Sequence, residues 1–197
     1  MNSVLQSVTD FISSRSSGSC SIEIGSQLMN ILHDYQDKIH IPRIVVVGTQ
    51  SSGKTSVLNG IIGLPILPTG SMITTRTPLH IELCPVVNSS ETCVYVNDEK
   101  FPLPHNTYTQ KHLSQIIDAI VSVTNIYTNN TFNISKKPIH IKIHYINIPH
   151  LYLIDLPGLT LVARTEEGQP KDIKDQIRNL VTSYINVENT FILAIMA

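Results

Sequence analysis

The residues best suited to chemistry in this chain come in two short clusters joined by a third. "GTQSSGKTS" (48–56) fits the pattern G-x-x-x-x-G-K-[ST] and stands directly behind the apolar run "RIVVVG". In that pattern Gly48 and Gly53 admit backbone angles and close approaches that a Cβ would block, so successive amides can converge on phosphate oxygens. Lys54 is placed to reach the β- and γ-phosphates, and the Thr55 hydroxyl to ligate magnesium. A helix opening here adds its positive N-terminal end. Further along, "LYLIDLPG" (151–158) sets Asp155 at the tip of an apolar strand, where a carboxylate can hold magnesium through water. The amide of Gly158 is then placed to bond a γ-phosphate oxygen. Between the two lies "LPTGSMITTRTPL" (67–79). A phosphate site of this kind needs a mobile hydroxyl that closes on magnesium, and Thr74, Thr75 and Thr77 all qualify by type.

The elements that must hold these residues follow from hydrophobic spacing. "IVVVG" is a continuous apolar strand, as expected in a sheet buried on both faces. After the glycine-rich loop, Leu58, Ile61 and Ile62 face inward on a helix stopped by Gly63 and Pro65. "TPLHIEL" and "TCVYV" read as strands, and Leu113, Ile116, Ile117, Ile120 and Val121 mark a helix. A polar loop, "YTNNTFNISKK", precedes the alternating strand "PIHIKIHYI". Ile173, Ile177, Leu180, Val181 and Tyr184 give another helix, and "TFILAIMA" reads as a last buried strand. Strands alternating with helices predict an α/β fold, a P-loop NTPase with a mainly parallel sheet flanked by helices. Upstream, Val4, Leu5, Val8, Phe11 and Ile12 form one helical stripe, and Leu28, Ile31, Leu32, Tyr35 and Ile39 a second. The division expected is a helical segment at 1–40 and the α/β domain at 41–197.

Composition narrows the classes. With 197 residues and 42% hydrophobic content, one sizeable core is the default. A formal net charge of -1 and a pI near 6.7 give no electrostatic case for nucleic acid or an anionic membrane. Cys20, Cys84 and Cys93 form an odd set without C-x-x-C spacing, which points to a reducing compartment rather than a disulfide framework. No stretch reaches the roughly 18 apolar residues of a membrane span, and the start lacks a secretory pattern. A cytoplasmic location, peripheral to membranes at most, is the expectation. His140 and His144 share a strand face with Lys142 between them; with no third ligand evident, a solvated face is the simpler reading.

"IPRIVVVGTQSSGKTSVLNGIIG", "LPTGSMITTRTPL" and "DLPGL", in that order, resemble the dynamin superfamily of large GTPases. The resemblance continues through "GQPKDIKDQIRNLVTSYINVENTFILAI" and covers Ile41 to the end; the N-terminal helices resemble the preceding helical element more weakly. It implies GTP as substrate, hydrolysed to GDP and phosphate, with Mg2+ as cofactor. It also implies that Gly48, Gln50, Ser51, Ser52, Gly53, Lys54, Thr55, Ser56, Asp155 and Gly158 bind the nucleotide. Thr55, Thr75 and Asp155 would serve magnesium, Thr75 being the first-switch threonine. Gln50 would position the attacking water. Ser51, with backbone carbonyls at Gly70 and Met72, would hold a monovalent cation, K+ or Na+, in place of an arginine finger. Leu159 stands where a Ras-type glutamine would be, consistent with water positioning from Gln50. Arg76 fits as a switch residue rather than a catalytic cation. The resemblance further implies a homodimer, or pairing with another dynamin-like GTPase domain, across the nucleotide. Membrane or microtubule association would rest on regions not found in these residues.

Two departures stand out. Met72 occupies a position that is usually glycine in the family, and no T-K-x-D or N-K-x-D motif for reading guanine occurs in the 197 residues. Without the guanine-pairing aspartate a site forgoes charge-assisted hydrogen bonds of about 1.5–3 kcal/mol. The sequence therefore also supports a second expectation, a truncated and impaired GTPase domain acting through intact dynamin-like partners. An unfinished sheet edge would make such a chain poorly stable or aggregation-prone. An ATP-using P-loop enzyme is disfavoured by the first-switch match.

Overall fold

A computed structural model describes residues 43–69, 75–160, 165 and 168–196. The N-terminal helical stripes, Cys20, Gly70, Met72, Thr74 and Arg164 lie outside the described residues. Within them, seven strands and three α-helices build one α/β layer structure. The strands are β1 (Arg43–Gly48), β2 (Leu79–Pro85), β3 (Cys93–Val96), β4 (Glu99–Pro102), β5 (Ile139–Tyr145), β6 (Leu151–Asp155) and β7 (Thr190–Ile195). The helices are α1 (Lys54–Ile62), α2 (Gln110–Tyr127) and α3 (Ile173–Ile185).

All seven strands form one sheet in the order β4-β3-β5-β2-β6-β1-β7. The α/β expectation is met, with a mixed sheet. β6, β1 and β7 run parallel to one another, as β2 does to β5. The β2–β6, β3–β5 and β3–β4 pairings are antiparallel. The parallel trio matters most here, because it aligns the carboxyl ends of β1 and β6, with Val46 opposite Asp155. β4 was not anticipated: "EKFP" is charged and ends in proline, yet the two-residue turn Asn97–Asp98, with Asn97 at φ 52, folds it back on β3. Asn in a two-residue loop is the signal that would have found it.

The core divides between the two faces. On one face Leu58 and Ile62 of α1 and Leu113, Ile116 and Ile120 of α2 pack on Ile81, Leu83, Ile141 and Ile143. On the other, Ile173, Ile177 and Val181 of α3 cover Val45 and Ile154. α2 buries the narrow stripe Leu113, Ile116, Ile120 and Thr124 and leaves Val121 38% exposed; Thr124 lies in that core with its hydroxyl donating to Ile120 O at 2.8 Å. One expectation is corrected. The strand read as buried at the end of the chain, β7, leaves Phe191 61% and Ile192 54% exposed. It is the outermost strand on its side and pairs with β1 alone.

α3 is fastened to the sheet by a polar contact as well. The imidazole of His80 on β2 lies between two tyrosine hydroxyls, Tyr152 at 2.9 Å from Nδ1 and Tyr184 of α3 at 3.0 Å from Nε2. Burial, then the nearby His140 and Arg43, push its pKa down to about 4 from 6.5. A histidine held neutral in the fold is protonated first in the unfolded chain, so stability is complete above about pH 6.5 and is lost as the pH falls toward 4. The urea midpoint is therefore expected to decline across that window in the native chain. The decline should be shallower in His80→Gln; an equal slope in the two would contradict the account.

Candidate phosphate-binding site

The site forms where β1 and β6 end. The chain leaves β1 at Gly48 and enters α1 at Lys54 through a loop that crosses close to two other backbones. A Cβ on Gly48 would come within 2.6 Å of Ile195 O and 2.7 Å of Ser52 Oγ. Two residues of the loop take left-handed angles, Gly53 at φ 83 and Ser51 at φ 66. For a residue with a Cβ such as Ser51, this conformation costs on the order of 1–3 kcal/mol and persists where the surroundings enforce it. The loop curls so that its amides can line a concave path, and α1 has no acidic residue in its first turn to offset its positive end.

The second cluster is stitched to the first by backbone. Gln50 N donates to Leu159 O at 3.0 Å, Leu159 N donates to Gly48 O at 2.9 Å, and Thr49 and Leu159 form a parallel bridge. Gly158 lets the two segments meet: a Cβ there would lie 3.0 Å from Gln50 Cα and 3.1 Å from Gln50 N. The phosphate loop and "DLPGL" thus act as one unit, although about a hundred residues separate them in sequence.

At the centre sits Asp155, with no solvent exposure. One carboxylate oxygen is paired with Lys54 Nζ, and the other accepts a hydrogen bond from Thr75 Oγ1 at 3.1 Å. Lys54 and Thr75 are themselves buried. The three threonines that type alone could not separate now differ. Thr75 bonds Asp155, Thr77 is fully buried with its hydroxyl unpartnered, and Thr74 lies outside the described residues. Thr55 is half-buried on the first turn of α1, while Ser51, Gly53 and Ser56 are exposed. Gln50 Nε2 and Ser52 Oγ are buried without a protein partner. Buried polar atoms in a folded protein are normally satisfied, so these two suit an anionic, oxygen-rich ligand. The donor set of a carboxylate and two threonine hydroxyls, all oxygen, suits Mg2+.

Sequence reasoning passed over the anchor beside this cluster. Arg76, next to Thr75, sends its guanidinium to the carboxyl end of α2, where it bonds Asn125 Oδ1 in the last turn and Thr128 Oγ1 and Thr131 O just beyond it. Its own carbonyl accepts from Ser135 N at 3.0 Å. Arg76 therefore braces the segment that carries Thr75, its guanidinium engaged rather than free. The pairing partner, the polar end of a helix, leaves no short-range trace in the sequence. Lower down the sheet, Lys142 pairs with Glu82 at 3.3 Å on the face that also carries His140 and His144.

Residues 44–197 match the model of the Dynamin family. The chain is 37% identical over 186 residues to Dynamin-1-like protein of Bos taurus, covering 82% of this chain and 24% of that protein. It is 40% identical over 162 residues to Dynamin-A of Dictyostelium discoideum, covering 81% and 18%. With Dynamin-related protein 12A of Glycine max it shares 43% over 155 residues, covering 79% and 24%. The chain thus spans about a quarter or less of the length of these relatives. The strand–loop–helix from Arg43 to Ile62, the buried carboxylate of "DLPGL" and the family match agree: the chain belongs to the dynamin family, with a dynamin-type GTPase domain over residues 44–197.

Proposed function

We propose that this domain binds GTP with Mg2+ at the Gly48–Ser56 loop and hydrolyses it to GDP and phosphate. The observation that carries the reading is the buried Lys54–Asp155–Thr75 cluster at the carboxyl ends of parallel strands, where α/β sheets bind their ligands. Lys54 would exchange Asp155 for the β- and γ-phosphates, because a buried ammonium must keep an anionic partner. Thr55, Thr75 and Asp155 would hold the magnesium ion. When bound, that ion neutralises charge developing on the phosphate oxygens. The loop amides and the α1 terminus orient the triphosphate, and the Gly158 amide meets its γ end. Gln50, kept at that end by its backbone bond to Leu159, would hold the attacking water by its side chain. The Ser51 hydroxyl, with the carbonyls of Gly70 and Met72, would hold K+ or Na+ and so supply the charge that an arginine finger gives elsewhere.

Competition tests the guanine assignment. Fluorescent GTP displaced by GTP but not by a large excess of ATP supports it; equal displacement by both would contradict it. Lys54→Ala should weaken Mg-nucleotide binding about 10- to 100-fold, the loss expected for charge-assisted hydrogen bonds, and unchanged affinity would overturn the phosphate loop itself.

Water positioning is tested separately. Gln50→Ala should lower single-turnover hydrolysis by about 100-fold or more while fluorescent GTP affinity stays within a few-fold of the native chain. Hydrolysis at the native rate would remove Gln50 from the mechanism.

A further inference from the structure

The polar face of the sheet carries a cluster that the nucleotide site does not use. Glu82 and Cys84 are alternate residues of β2 and so project from the same face. His150 stands just before β6, the antiparallel neighbour of β2, and comes over the pair. Cys84 Sγ lies 3.4 Å from Glu82 Oε1, and His150 Nε2 lies 3.9 Å from that same oxygen. One ligand atom from each residue falls within 4.8 Å of the others, and all three side chains are half-buried. We propose that Glu82, Cys84 and His150 form a binding site for a divalent transition metal of the zinc class.

Chemistry and spacing support it independently. Thiolate, imidazole and carboxylate together are a zinc donor set, softer than anything Mg2+ or Ca2+ selects. A tetrahedral zinc with bonds of ~2.3 Å to sulfur and ~2.0 Å to nitrogen or oxygen places its donors roughly 3.3–3.5 Å apart. The Cys84–Glu82 separation already meets that spacing, and His150 needs to close on Glu82 Oε1 by roughly half an ångström. The carboxylate is also oriented for the role. Lys142 Nζ holds Glu82 Oε2 at 3.3 Å, leaving Oε1 turned to the two other donors, the arrangement by which outer groups aim metal ligands. His150 Nδ1 is buried without a partner, so the ring is not committed to another contact on that side. The fourth position falls to water.

The bare site keeps its proton. Burial, and then the charge of Glu82, push the Cys84 thiol up to about 12, so it stays a thiol donating to Glu82 until a cation replaces that proton. The cluster lies toward the amino end of β6, whereas Asp155 closes the carboxyl end. A metal here would not compete with the nucleotide.

Cobalt(II) is the probe, titrated into the whole nucleotide-free chain in excess Mg2+. The expected result is one Co2+ per chain, a near-ultraviolet thiolate charge-transfer band, release of about one proton, and displacement by Zn2+. The band should vanish in Cys84→Ser, and His150→Ala should weaken binding at least tenfold, while Cys20→Ser binds as the native chain does. No binding, a band that survives Cys84→Ser, or one lost in Cys20→Ser instead would overturn the site. If Cys84→Ser does not fold, His150→Ala, placed outside the strands, decides alone: undiminished binding refutes the proposal.

Discussion

A carboxylate without solvent exposure is the constraint around which this domain is arranged. Burying a single ion costs several kcal/mol even after relaxation, and that cost is met only by a well-placed partner with further hydrogen bonds. Asp155 obtains both from segments remote in sequence, the ammonium of Lys54 and the hydroxyl of Thr75. Satisfying it therefore forces β6, the first turn of α1 and the chain leading into β2 to converge. The close backbone crossings at Gly48 and Gly158 are what that convergence requires, since a Cβ at either would meet backbone or a loop side chain at 3.0 Å or less. Arg76 then fixes the far side of Thr75 to the carboxyl end of α2. The same three groups that stabilise each other in the fold are those a phosphate and a magnesium ion would share.

Around this centre the sheet has two characters. The parallel strands β6, β1 and β7 present their carboxyl ends to the site, and helices cover both faces of β1 and β6. Away from it, β2 and β5 bury one face under α2 and turn histidines, Glu82, Cys84 and Lys142 to the other. The His80–Tyr152–Tyr184 contact marks the boundary, being the polar fastening between α3 and the open part of that face. Phe191 and Ile192 of β7 are exposed at the edge of the sheet beside β1.

What the sequence revealed was whatever is written locally. The loop from Gly48 to Thr55 is written in consecutive residues, and the strand tip at Asp155 is an acid after an apolar run; the structure opens a helix at Lys54 and ends a strand at Asp155. α1, α2, α3 and most strands followed from spacing for the same reason. Choices that depend on distant partners were not legible. Nothing near Thr74, Thr75 and Thr77 says which one faces Asp155, and only the family resemblance singled out Thr75. Nothing in "YTNNTFNISKK" announces that its start receives Arg76. Val121 fits the helical stripe, but α2 meets the sheet along a narrower line than its apolar residues could fill. The antiparallel pairing of β2 with β6, and with it the meeting of Glu82, Cys84 and His150, is a property of topology alone.

The central claim is that Asp155, relieved of Lys54, holds the magnesium that accompanies the nucleotide. Calorimetric titration of a non-hydrolysable GTP analogue, with and without Mg2+, into the native chain and into Asp155→Asn tests it most directly. Asparagine keeps the size and a hydrogen-bond acceptor but removes the charge, and circular dichroism verifies that the fold is retained. The account predicts that Mg2+ strengthens binding at least tenfold in the native chain and has little effect in Asp155→Asn. The same dependence on Mg2+ in both proteins would contradict it.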